Sequence, residues 1–155
     1  MKKKKSLVVT YIKIFIVIAI IAVGIFFAIK FFSKEYNSAE YETIKTDMLL
    51  IQGKTEVLSQ KVEIKEKDAK YIGTKLKDKE VDSTIQNLID KKIIDMDSKD
   101  SNYYYLDDSN LAELGLNNIQ LDSNFIVDYK KNDIIYVKGI ENADGNIIYK
   151  LSDMK

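Results

Sequence analysis

The sequence predicts an α+β protein built around one long N-terminal helix, membrane-spanning at first and amphipathic beyond, with the amphipathic part packed on a C-terminal three-stranded antiparallel meander. Three patterns predict it. Residues 14–29 carry no charged or hydrogen-bonding side chain, Ile44 to Val62 repeats uncharged residues at intervals of four and three, and from Phe125 onward the apolar period falls to two.

Residues 1–10 read as a basic cytoplasmic tail and 11–32 as a transmembrane helix. Its apolar body is Ile14, Phe15, Ile16, Val17, Ile18, Ile20, Ile21, Val23, Ile25, Phe26, Phe27 and Ile29. With Leu7 to Ile12 before it and Phe31 and Phe32 after, the run reaches the ~20 residues that cross a ~30 Å hydrocarbon core. Lys13 and Lys30 interrupt it where their stems let the ammonium groups reach opposite interfaces. Lys2, Lys3, Lys4 and Lys5 precede the span, whereas Glu35, Glu40 and Glu42 offset Lys30 and Lys34 beyond it. The positive-inside rule then predicts a single-pass cell-membrane protein with the N-terminus in the cytoplasm and the C-terminal domain outside. The apolar core exceeds the ~7–15 residues of a cleavable signal peptide, no small-residue cleavage site directly follows it, and no cysteine offers a site for lipid attachment, so a retained signal anchor is expected.

Composition narrows the function. The six lysines up to Lys30 leave 18 lysines against 24 acids in the remainder, a net charge of about −6 that argues against nucleic acid or an anionic surface as partner. Cysteine, histidine, tryptophan and proline are all missing. Disulfides therefore play no part in stability, and the usual nucleophile–base pairs, thiol chemistry and most zinc sites have no residues to form them. No cofactor and no enzymatic activity are expected.

Beyond the span, residues 33–67 read as an extracytoplasmic amphipathic helix and 68–155 as one small α+β domain. Ile44, Met48, Ile51, Leu58 and Val62, with Thr55 among them, form the packing face of that helix. Lys65 to Lys79 reads as a loop or short extended piece. Val81 to Asp95 reads as a second helix with Val81, Ile85, Leu88, Ile89 and Ile93 on its apolar side and Asp82 or Ser83 as cap. Tyr103 to Leu106 has strand propensity, and Asp107 to Leu114 reads as a short capped helix stopped at Gly115. Phe125, Val127 and Tyr129, then Ile135 and Val137, then Ile147, Tyr149 and Leu151 mark three strands with one face buried, joined by turns at Lys130 to Asp133 and at Glu141 to Asn146.

Few residues suggest a site. Asp95, Asp97 and Asp100 with Asp107 and Asp108, and separately Asn142, Asp144 and Asn146, offer oxygen ligands for which calcium is the candidate ion, although neither set has the spacing of an EF-hand loop. A solvated loop and a hairpin turn account for the same residues. Tyr103 to Tyr105 offers aromatic rings, but three adjacent strand residues do not share one face. Gly24 and Ala28 form a lone Gly-x-x-x-Ala pair in the span.

A basic tail, a membrane helix running into an amphipathic helix, a middle segment and a terminal antiparallel meander resemble the type IV pilin and type II secretion pseudopilin family. The stretches FIVDYKKNDIIYVKGI and NIIYKLSDM, within Phe125 to Met154, look like the ends of pilin-like proteins of Gram-positive, low-GC bacteria. The family's processing signal is a glycine followed by a Phe-like residue and a glutamate five positions into the mature chain. Here KKKKSLVVTYIK precedes the span, with no glycine before Gly24 and no acid before Glu35. The resemblance thus implies a pilin-like fold kept as a static membrane protein. Its expected role is structural or accessory in a cell-envelope assembly, in contact with the lipid bilayer and with other envelope proteins or itself. Two alternatives stand beside it: a bitopic scaffold resembling small division-complex proteins, pairing the Ile44 to Val62 stripe with a partner helix, and a carboxylate-dependent envelope hydrolase.

Overall fold

The computed structural model describes the backbone of residues 2–119 and 124–154, and the side chains of 14–27, 38–119 and 124–154. Two compact units divide it, Met1–Ala39 and Glu40–Lys155. Helix α1, Lys2–Glu63, belongs to both. The second unit continues through β1 (Thr74–Lys75), a 3-10 turn (Leu76–Asp78), α2 (Ser83–Asp90), β2 (Tyr103–Leu106), α3 (Asp108–Glu113), β3 (Phe125–Asp128), β4 (Asp133–Glu141), β5 (Ile147–Lys150) and a second 3-10 turn (Leu151–Asp153).

The α+β class holds, and the sheet has five strands where the sequence predicts three. All five are antiparallel and lie in chain order, β1-β2-β3-β4-β5. The extra strands are the ones that local pattern signals least. β1 has two residues, and β2 lies nineteen positions before β3 with α3 between them, so no hairpin turn announces their pairing. Tyr104 nonetheless sits opposite Val127, and Val127 opposite Ile134.

Nor is one face of the sheet left to water. Ile44, Met48 and Ile51 of α1 pack with Phe125, Val127, Ile134 and Tyr136 on one side, while Ile85 and Leu88 of α2 pack with Ile126, Ile135 and Val137 on the other. The domain is a three-layer helix–sheet–helix arrangement, and all four residues of β3 are buried. A strand covered on both faces reads as a continuous apolar run, which is what Phe125, Ile126 and Val127 spell. In β4 the register shifts between Ile135 and Ile140 at Gly139, whose φ is +70°. A Cβ there would lie 2.6 Å from both Ile147 and Tyr149 side-chain carbons, so only glycine fits the bulge.

Helix ends depart from the expected ones. The amphipathic helix stops at Glu63 rather than 67, and α2 covers Ser83–Asp90 rather than Val81 to Asp95. Asp82 caps α2 by accepting the N–H groups of Thr84 and Ile85, both at 2.9 Å. Val81 is left exposed before that cap, and Ile94 takes the fully buried place expected near Ile93. α3 matches its expected limits, with Asp107 and Asn110 forming a reciprocal capping box.

Candidate functional site

The predicted packing face of α1 is the part of the site reading that the structure brings together. Met48 and Ile51 are fully buried and Ile44 nearly so, whereas Leu58 and Val62 are half-buried toward the helix end. Thr55 completes the stripe. Its hydroxyl donates to the Ile51 carbonyl at 2.9 Å, so a polar residue enters the core with its donor satisfied inside its own helix. Gln52, beside the stripe, donates from Nε2 to the Asn132 carbonyl at 2.7 Å and ties α1 to the β3–β4 turn.

Two carboxylates hold the turns. The buried Asp128 accepts the N–H groups of Asn102 at 2.8 Å and Lys130 at 3.1 Å, clamping the approach to β2 onto the turn after β3. Asp133 accepts Ser152 N–H at 3.1 Å and its hydroxyl at 2.7 Å, which fixes the C-terminal 3-10 turn to the start of β4. Sequence reasoning passed over both; an aspartate at each end of DYKKND, flanking a turn, was the available signal.

The three tyrosines of β2 divide between the faces as alternation requires. Tyr103 and Tyr105 join the α2 side, and Tyr104 joins Tyr71 and Tyr129 on the α1 side. Ring centroids there are 4.4 Å apart for Tyr71 and Tyr129, and 5.2 Å for Tyr104 and Tyr129. Tyr129 Oη donates to the Ile72 carbonyl at 2.9 Å and accepts the Ile72 N–H at 3.1 Å. Burial pushes its phenol well above the ordinary tyrosine value, and burial first, then neighbouring Tyr71, raises Tyr104 as well. Burial likewise raises Tyr105, whose ring lies 4.5 Å from the Lys79 ammonium. Such phenols stay protonated at neutral pH, and that of Tyr129 serves as a hydrogen-bond donor.

The acidic segments act locally. Asp95 accepts the Asp97 N–H at 3.1 Å, Asp100 pairs with Lys130 at 3.6 Å, and Asp107 caps α3. The Asp107 carboxyl is held below the usual carboxylate range by the Ser109 hydroxyl first and the Asn110 N–H next. Asn142 Oδ1 accepts the N–H groups of Asp144 and Asn146, closing the last hairpin. Among the described residues no group of three or more acidic side chains is close enough together to hold a metal ion. A cleft of about 260 Å³ is lined by Lys75, Lys77, Lys99, Ser101 and Tyr103 among others, without a carboxylate. A second, of about 270 Å³, mixes Glu66, Asp68 and Glu113 with Lys61, Lys67 and Lys70, where Lys61 and Glu66 pair at 3.4 Å.

In the first unit, Ile14, Phe15, Ile16, Val17, Ile18, Ile20, Ile21, Val23, Ile25, Phe26 and Phe27 lie on α1 with 51% to 74% of each side chain exposed. Among the described residues no helix is long and apolar enough to cross a membrane. The described apolar side chains cover 14–27; the side chains of Ile29 and of the rest of the expected 11–32 span, and those of Lys2 to Lys5, lie outside the described residues. Comparison with protein-family models, with curated proteins and with solved structures finds no match.

Proposed function

We propose that the chain is a single-pass, membrane-anchored protein whose pilin-like domain lies outside the cell, serving as a non-enzymatic structural or accessory part of an envelope assembly. The observation that carries this reading is the uninterrupted apolar surface of residues 14–27 on α1, left exposed by the chain's own fold. At roughly 25 cal/mol per Å² of apolar area, such a surface is strongly driven out of water, and the apolar sequence on either side extends it toward the length of a hydrocarbon core.

The likeness to pilins rests on layout: one N-terminal helix, a packing stripe on its later turns, and a sequential antiparallel meander under that stripe. Ile44, Met48 and Ile51 are engaged by the chain's own sheet, so a scaffold that used this stripe for a partner helix would have to give up the core. The hydrolase alternative calls for carboxylates with raised pKa gathered in a concavity; the Asp107 carboxyl moves the other way and caps a helix.

Because the chain has no cysteine, single cysteines report topology without background. A thiol at Ser152→Cys should react with an impermeant maleimide on intact cells, and one at Ser6→Cys only after permeabilisation. Labelling in the reverse order would defeat the N-in orientation, and a chain released by alkaline carbonate would defeat the anchor.

A further inference from the structure

A second uncharged face lies on α1, turned away from Ile44, Met48 and Ile51. Leu50, Val57 and Ile64 recur every seven residues, with Thr46, Gly53 and Gln60 in the alternate places, giving intervals of four, three, four, three and four. All six are exposed, Leu50 at 50%, Val57 at 53% and Ile64 at 74%. The last turn reaches Ile64, whose N–H donates to the Gln60 carbonyl at 3.0 Å. Thr46 returns its hydroxyl to the Glu42 carbonyl at 2.8 Å, leaving its methyl group to the surface, and a Cβ at Gly53 would meet nothing within 4 Å. The mean interval of 3.5 residues is the period of a seam between two supercoiled helices. In sequence the repeat continues upstream through Thr43, Ala39, Tyr36 and Phe32, and none of the ten charged residues between 32 and 64 falls on it.

We infer that this face is a parallel, in-register interface between two copies of the chain. The choice of occupant comes from charge. Glu56 and Lys61 border the seam on opposite margins, five residues apart. Parallel pairing in register sets Glu56 of each copy against Lys61 of the other, twice by symmetry, whereas antiparallel pairing sets the Glu56 and Glu63 margins together and the Lys54 and Lys61 margins together. Both signs the contact needs are therefore on this one segment. The exposed Lys61–Glu66 pair within each copy is of the kind that exchanges at little cost. One heptad earlier the matching pair is Leu49 and Lys54, and two heptads earlier it would be Glu42 and Asp47, of like charge, but Asp47 is buried in its own domain.

Three apolar layers bury far less than the ~1,200 Å² of a stable soluble interface, so the contact depends on the copies being held side by side. A shared bilayer does this by raising their effective concentration and aligning the helices. That step rests on the membrane-anchor reading; the seam and its charges do not.

Single cysteines in the full-length chain test it, with oxidative cross-linking in washed membranes and in the soluble fraction. Leu50→Cys and Val57→Cys should form disulfide-linked dimers severalfold more than Lys45→Cys, which lies off the seam. Adding Lys61→Glu to Val57→Cys should lower the dimer severalfold, and further adding Glu56→Lys should restore it. Absence of dimer, equal yield at Lys45→Cys, or indifference to the single charge reversal would overturn the interface. A chain found only in the soluble fraction would overturn the anchor and, with it, the pairing that depends on a shared bilayer, whereas a membrane-bound chain without dimer would overturn the seam alone.

Discussion

The phenol of Tyr129 ties the segment before β1 to the end of β3 at one oxygen, giving and taking a hydrogen bond with Ile72. Tyr129→Phe leaves both Ile72 backbone groups short of a partner, and should cost about 1–3 kcal/mol in urea unfolding at neutral pH. Its raised pKa also sets a sign. The contribution is complete below the unfolded value of about 10 and is lost as pH rises from there toward the higher folded value, so the alkaline fall in stability should be shallower in Tyr129→Phe. Tyr104 and Tyr105 shift in the same direction and keep the fall from vanishing. Asp107 works in the opposite limb. Its lowered carboxyl contributes above the unfolded value of about 3.9 and loses that contribution as pH falls through the folded value. Asp107→Ala should cost ~1 kcal/mol at neutral pH, whereas Asp107→Asn keeps the cap there and flattens the acid limb; denaturant titrations near neutrality and near pH ~3 check both. Of these residues, the Asp107 cap was legible because its signal is local. The Tyr129–Ile72 bond, spanning 57 positions, was not.

Three helices end with the same backbone motif, written with different residues. After α3, Gly115 at φ +77° donates to the Ala112 carbonyl and Leu116 donates to that of Leu111. After α2 the same pair of bonds runs from Lys92 to Ile89 and from Ile93 to Leu88, and after α1 from Lys65 to Val62 and from Glu66 to Lys61. Each is a Schellman stop. Only the one with glycine announces itself, which is why the α3 end was readable while α1 and α2 were extended too far. Lys65 and Lys92 hold φ of +55° and +59°, a region costing an L-residue roughly 1 kcal/mol. Lys65→Gly should therefore raise stability by about 0.5–1 kcal/mol, a small increase in thermal midpoint; no change or a decrease would mean the lysine side chain contributes more there than its backbone costs. The α1 stripe belongs to the same scale. Ile51→Asp places a charge at a fully buried contact between α1 and the sheet, and the loss of several kcal/mol should unfold a domain whose whole margin is about 5–15 kcal/mol. An unchanged melting curve would refute that packing.

For the whole molecule, the sequence disclosed the class, the packing stripe and the last three strands because each is a periodic pattern within a short window. The second helix and the strand propensity of Tyr103 to Leu106 were legible too, but the place of that helix on the far face of the sheet and the pairing of the first two strands were hidden because they depend on contacts across the middle of the chain. β1 pairs Thr74 with Tyr105, and α2 covers Ile126 and Ile135 some forty positions later. The sheet carries the chain's own helices on both faces, and the proposed anchor and seam both lie on the remaining faces of α1. The anchor reading and the absence of a pilin processing signal in KKKKSLVVTYIK meet in one quantity, the intact mass of the native chain in washed membranes and in material sheared from the cell surface. The account predicts a chain that keeps KKKKSLVVTYIK ahead of the span and is confined to membranes. An N-terminally shortened chain in the sheared fraction would contradict it, and would mean that the protein is processed and assembled after all.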